Sequence, residues 1–103
     1  MLSKQSLGVK LDQNKRQWNL LPWREVGLVV DVLMFGANKY SPDNWKHVLY
    51  AEERYLEAAI RHIVARIHNR INDPESRKPH LAHAVCSLLF IMWLDNLKRR
   101  GHR

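Results

Sequence analysis

Six aliphatic residues, Leu56, Ile60, Ile63, Val64, Ile67 and Ile71, recur at i, i+3, i+4 and i+7 spacings through the middle of the chain. On a helix of 3.6 residues per turn that spacing gathers them on one stripe, whereas a strand would scatter them over both of its faces. The pattern predicts a helix over 50–71.

Two further helices follow from composition and punctuation. Pro22 suits a first helical position, where its missing N–H costs nothing, and Glu25 adds favourable negative charge to the opening turn. The run Val26, Leu28, Val29, Val30, Val32, Leu33, Met34 and Phe35 is apolar over most of a helical circumference, which predicts a helix over 22–38 enclosed on several sides. Its β-branched stretch would also suit a strand, but no second strand pattern exists to pair with it. Asp73-Pro74 and Lys78-Pro79 break helices on either side of a loop. A third helix is then expected over 80–100, with Lys98, Arg99 and Arg100 complementing its C-terminal dipole and Gly101 just beyond. The expected fold is all-α, with three main helices in a single domain over 20–103. Residues 1–19 lack periodicity and read as an arm, tied to the body by Trp18 and Leu20.

A chain of 103 residues buries only a modest share of its surface alone, so assembly as a homo-oligomer is expected. The single Cys86 excludes an internal disulfide and indicates a reducing, cytoplasmic setting. The longest apolar run, Leu81 to Leu94, falls short of the ~20 residues that a membrane span needs and contains His83 and Ser87. The N-terminus lacks the apolar segment of a signal peptide. A formal charge of +7 is compatible with polyanionic partners, but much of it sits at the chain ends, where basic tails are commonly just solvated. A basic helical nucleic-acid-binding protein remains an alternative that rests on charge alone.

Between the first two helices, residues 36–45 form a dense polar and aromatic loop. Turn formation needs only Gly and a turn former, so Lys39, Tyr40, Asn44 and Trp45 exceed what a connector requires and mark a binding wall, with burial in the helix junction the alternative for Trp45. On the second helix Glu53 and Glu57 lie one turn apart, with Arg61 a turn further. They form either a solvated Glu57–Arg61 pair worth a few tenths of a kcal/mol, or two hard oxygen ligands for Mg²⁺ or Mn²⁺. Arg61 and His62 are consecutive and diverge by about 100°, so one binds while the other orients. His80, His83 and Ser87 share one stripe of an otherwise apolar helix. There the histidines either ligate a transition metal or serve as buried, hydrogen-bonded imidazoles. The loop between these helices offers Asp73, Glu75 and Ser76 beside Arg77 and Lys78, as helix caps or as metal and phosphate ligands.

Taken in order, Leu21-Pro22, Gly36-Ala37-Asn38-Lys39-Tyr40, Asn44-Trp45, Arg61-His62, Asp73-Pro74-Glu75-Ser76 and His80-Leu81-Ala82-His83-Ala84 resemble the signature of the dATP/dGTP diphosphohydrolase N-terminal domain family. That family is common in bacteriophages and is similar to the MazG-like all-α nucleotide pyrophosphohydrolases. The resemblance covers about Leu20 to Leu94. It implies an oligomeric helical domain that binds a purine deoxynucleoside triphosphate with Mg²⁺ or Mn²⁺ and hydrolyses it.

Under that resemblance Glu53, Glu57, Asp73 and Glu75 are the candidate catalytic residues, and Glu53, Glu57, Asp73, His80 and His83 the candidate metal ligands. Lys39, Tyr40, Asn44, Trp45, Arg61, His62, Lys78, His80 and His83 are the candidate substrate-binding residues. The chain departs from the MazG-like pattern where His80 and His83 replace paired carboxylates. It departs from the closer family at Asn69-Arg70, usually Gly-Glu, and at Arg77 and near Val48, where Gly is usual. Loss of an acidic group beside a metal site would remove catalysis and leave affinity, so a non-catalytic nucleotide-sequestering protein is the alternative of the same fold.

Overall fold

The computed structural model describes residues 8–101. Three helices dominate: α1 over Trp23–Lys39, α2 over Ala51–Ile67 and α3 over His80–Arg99. Single 3₁₀ turns at Trp18–Leu20 and Asn44–His47 precede α1 and α2. Among the described residues there is no strand, only an isolated antiparallel bridge between Asn72 and Pro79.

α3 is the central element and packs against both other helices. Glu52 at the start of α2 meets Lys98 at the end of α3, and His62 near the end of α2 meets His80 at the start of α3, so the two form an antiparallel hairpin. Against α1, the buried core is Val32 with Ala82 and Cys86, flanked by Leu28, Val29, Leu33 and Phe90. The Cys86 thiol donates to the Val29 carbonyl at 3.4 Å, and burial pushes its pKa up to about 12, which leaves it an inert packing group.

The helix boundaries follow local chemistry. Pro22 stands one position before α1 rather than inside it, and its carbonyl accepts the Val26 N–H at 3.0 Å. α2 stops at Ile67, four residues before the periodicity predicts, because Asn69 adopts φ 63°. Asn tolerates this left-handed conformation, and the Arg70 N–H then closes onto the Ala65 carbonyl at 3.0 Å as a helix stop. Ile71 is thereby outside the helix. Its carbonyl instead accepts the His80 N–H at 2.8 Å and clamps the start of α3. At the far end Gly101, at φ 73°, supplies the left-handed residue that ends α3.

Packing within the chain corrects the reading of Trp18 and Leu20 and leaves apolar faces of α1 and α2 open. α1 is not enclosed within the chain: it buries Val32 alone, while Trp23, Val30 and Met34 are exposed. Trp18 and Leu20 are 61% and 75% exposed and do not anchor to the body. The aliphatic stripe of α2 is not the seam with α3 either. That seam uses Glu52, Tyr55 and His62 beside buried Ala59, one residue and therefore about 100° round from Leu56, Ile60, Ile63 and Ile67. All four of those aliphatics are at least 40% exposed, as are Leu81, Val85, Leu88 and Met92 on α3.

The membrane expectation also shifts. α3 runs 20 residues with a mean hydropathy of 1.3 over its most apolar window, enough by length and composition alone to cross a bilayer. A third of that window is buried inside the protein, with His80 and Ser87 among the buried residues.

Candidate functional site

The loop after α1 is held down by its tryptophan. Trp45 stacks on Phe90 of α3 at 4.3 Å and 10°, and meets Trp93 edge-on at 5.1 Å. Tyr55 of α2 donates its hydroxyl proton to the Trp45 carbonyl at 2.8 Å. Lys46 lies 5.4 Å from both indole rings. The Trp45 ring is thus engaged as an anchor, and the exposed ring of the loop is Tyr40, 63% accessible. Phe90, Trp93 and Tyr55 are the partners that sequence reasoning missed; their positions on two different helices gave no local signal.

Folding the loop against α2 and α3 creates an open groove of about 1350 Å³. Lys39, Tyr40, Asn44 and Trp45 line it from the loop, Glu53, Glu57, Arg61 and His62 from α2, and Asp73, Glu75 and His83 complete the polar lining. His80 and Lys78 do not line it. Lys78 instead pairs with Asp31 of α1 at 3.3 Å and ties the loop before α3 to the first helix. Lys39 pairs with Glu75 at 2.7 Å, and the hydrogen bond to this carboxylate, then that to Tyr40, raises the ammonium pKa. Glu57 and Arg61 form the expected i, i+4 pair, at 3.6 Å and well exposed.

Beside the groove three imidazoles converge. His62 and His80 face each other through their Nδ1 atoms at 2.8 Å, so one ring donates its proton and the other accepts it. His83 stacks on His62 at 4.6 Å and 15°, and its Nε2 meets the Ser76 hydroxyl at 2.6 Å. Burial, then the neighbouring charges of His83 and His80, pushes His62 down to about 4. Burial likewise lowers His83 despite the opposing pull of Asp73, so both rings are neutral at pH 7. Burial pushes Asp73 the other way, but N–H donation from Glu75 and Ser76 to its Oδ1 outweighs this and holds it below the usual carboxylate range. Asp73 therefore shapes its own loop rather than capping α3.

Among the described residues, one set of three His, Cys, Asp or Glu side chains brings its ligand atoms within 4.8 Å of one another: His62, Asp73 and His80. Glu53 and Glu57 lie elsewhere, exposed on the groove's α2 flank, and His83 is turned to Ser76. Of the consecutive pair Arg61-His62, both line the groove but His62 alone joins the imidazole cluster.

Fold and site together define an all-α domain with a groove between a helical hairpin and an aromatic loop, lined in part by histidines and an aspartate. The chain belongs to the family described as dATP/dGTP diphosphohydrolase, N-terminal, which it matches over residues 5–102. It is 37% identical over 89 residues to a dATP/dGTP diphosphohydrolase of Salmonella phage PMBT28. That match covers 86% of this chain but 30% of the phage protein's length. No solved structure matches it.

Proposed function

We propose that this domain binds a purine deoxynucleoside triphosphate in the groove and hydrolyses it with the aid of Mg²⁺ or Mn²⁺. One observation carries the reading: a ring and an amide (Tyr40, Asn44), two cations (Lys39, Arg61) and the groups able to take up a proton from water (Asp73, Glu75, His83) line a single groove. At about 1350 Å³ it exceeds the ~300–1000 Å³ of ordinary small-molecule pockets, which leaves room for a triphosphate chain. The relative's name, a dATP/dGTP diphosphohydrolase, supports the substrate class.

Glu53 and Glu57 suit a hard cation, since Mg²⁺ is commonly held by one or two carboxylates together with substrate phosphates. When bound, that ion neutralises charge developing on the phosphates and polarises water. The side chains do the rest. Tyr40, exposed with the Lys39 ammonium 5.3 Å from its ring centroid, offers its ring to a base, and Asn44 an amide to its edge. Lys39 and Arg61 meet the phosphates by exchanging their present carboxylate partners, an exchange that costs little because exposed ion pairs are worth only ~0–1 kcal/mol. Neutral His83 and ionised Asp73 are bases that line the groove. The exposed aliphatic faces of α2 and α3 fit further copies of the same chain, which would complete a helical bundle.

A second reading, nucleotide binding without turnover, is favoured by the chain spanning 30% of its relative's length, so that chemistry in the longer protein could reside elsewhere. Incubation of the purified protein with each deoxynucleoside triphosphate and Mg²⁺ or Mn²⁺, followed by chromatography of products, separates the two. Release of pyrophosphate or phosphate from dATP or dGTP is expected. A thermal shift with dATP or dGTP but no product from any of them would retire hydrolysis and leave binding.

A further inference from the structure

We infer that His62, Asp73 and His80 form a binding site for a divalent transition ion of the Zn²⁺ class, separate from the carboxylates on the α2 flank. Three elements contribute one ligand each: α2, the 68–79 loop and the first residue of α3. Imidazole nitrogen with one carboxylate oxygen is the donor set of borderline ions such as Zn²⁺, Co²⁺ and Ni²⁺, whereas Mg²⁺ prefers oxygen alone.

Each ligand is pre-positioned. The His80 backbone N–H is fixed to the Ile71 carbonyl at 2.8 Å, and Asp73 Oδ1 is fixed by the Glu75 and Ser76 N–H groups at 2.8 and 3.3 Å. His83 is a positioning residue: bonded to Ser76, it stacks on the His62 ring and sets its plane. The two facing Nδ1 atoms, 2.8 Å apart, share a single proton that an ion would replace. Nitrogens of a tetrahedral zinc site lie about 3.4 Å apart, so the rings need part by only about half an ångström.

Charge points the same way. Asp73 is half-buried against imidazoles and, among the described residues, takes part in no ion pair, so its carboxylate is open to a divalent cation. His62 and Asp73 also line the groove, while His80 is buried behind them, 8% exposed. Three protein ligands with one side toward a groove is the pattern of an ion that keeps a coordination position for water or substrate.

The test uses tag-free protein stripped with a chelator and titrated with Co²⁺ alone. A visible absorption that saturates at a single Co²⁺ per chain, is displaced by Zn²⁺ and persists in excess Mg²⁺ is expected. Asp73→Asn and His62→Gln should each weaken Co²⁺ by about 100-fold or more, and His83→Gln by about tenfold. If the variants fail to fold, the native chain still decides: Zn²⁺ must protect His62, the imidazole ligand that lines the groove, from diethyl pyrocarbonate, read by mass spectrometry. No Co²⁺ binding, displacement by Mg²⁺, unchanged affinity in Asp73→Asn, or an unprotected His62 would overturn the site. The site does not depend on the hydrolase reading. Co²⁺ binding without nucleotide turnover retires only the enzyme, and Mg²⁺-supported turnover without Co²⁺ binding retires only this site.

Discussion

Acidification of the metal-free protein should destabilise it through His62. Its folded-state pKa of about 4 lies below the ordinary 6.5, because the ring is partly buried and faces His83 and His80, with Asp73 opposing and Arg61 reinforcing the depression. Between those two values the unfolded chain binds the proton that the folded chain refuses, so stability rises with pH across that window. It is fully present above 6.5 and is lost as pH falls toward 4. A shift of ~2.5 units at ~1.36 kcal/mol each sets a ceiling of ~3.4 kcal/mol. Solvent reaches the half-buried ring, and screening reduces the expected loss to roughly 1.5–2 kcal/mol, or about 10 °C in Tm for a domain of this size. His83, shifted in the same direction, adds to it; Asp73, depressed from 3.8, acts only below that range. Urea unfolding followed by far-ultraviolet circular dichroism, in chelator at pH values from about 7.5 to about 4.5, measures the slope. His62→Gln should flatten it while keeping a polar partner for His80. A wild-type midpoint independent of pH, or the same slope in His62→Gln, would falsify the assignment.

Arg77→Gly should raise stability by about 0.5 kcal/mol, because Arg77 sits at φ 64° and the strain relieved slightly exceeds the chain entropy glycine loses; a lower urea midpoint would show that the side chain contributes packing. Phe90→Ala removes the ring on which Trp45 stacks and Tyr55 leans, and should cost about 3 kcal/mol and red-shift tryptophan emission. Unchanged emission would mean that Trp45 is held without it. On the proposal that these stripes join copies of the chain, Ile60→Asp combined with Leu88→Asp places charge on both and should turn an oligomer into a folded monomer in light scattering; a monomeric wild type, or an oligomer retained by the variant, would refute that interface.

The three helices were legible because each carries its own local signals: apolar periodicity, prolines before α1 and α3, and Gly101 after α3. The site was legible in part. The loop residues Lys39, Tyr40 and Asn44 could be singled out as larger and more polar than a turn needs, and all three line the groove. Lys78 could be recognised as a cation, but its pairing with Asp31 across 47 positions of sequence leaves no local trace. His62 and His80 were each visible, yet their Nδ1 contact depends on the antiparallel closure of α2 on α3.

Sequence alone thus determined the helical class, the helix count and the polar aromatic loop, since these depend on propensity and spacing over a few turns. Tertiary structure decided which faces met. The most apolar stripe of α2 is left open, and a seam of tyrosine, alanine and histidine one residue round the helix is used instead. Periodicity shows that a face is apolar but carries no information about its partner; the α3 seam supplies His80, His83 and Phe90, which match imidazole and phenol rather than aliphatic carbon. That choice of seam brings His62 to Asp73 and His80, and turns scattered polar residues into a site.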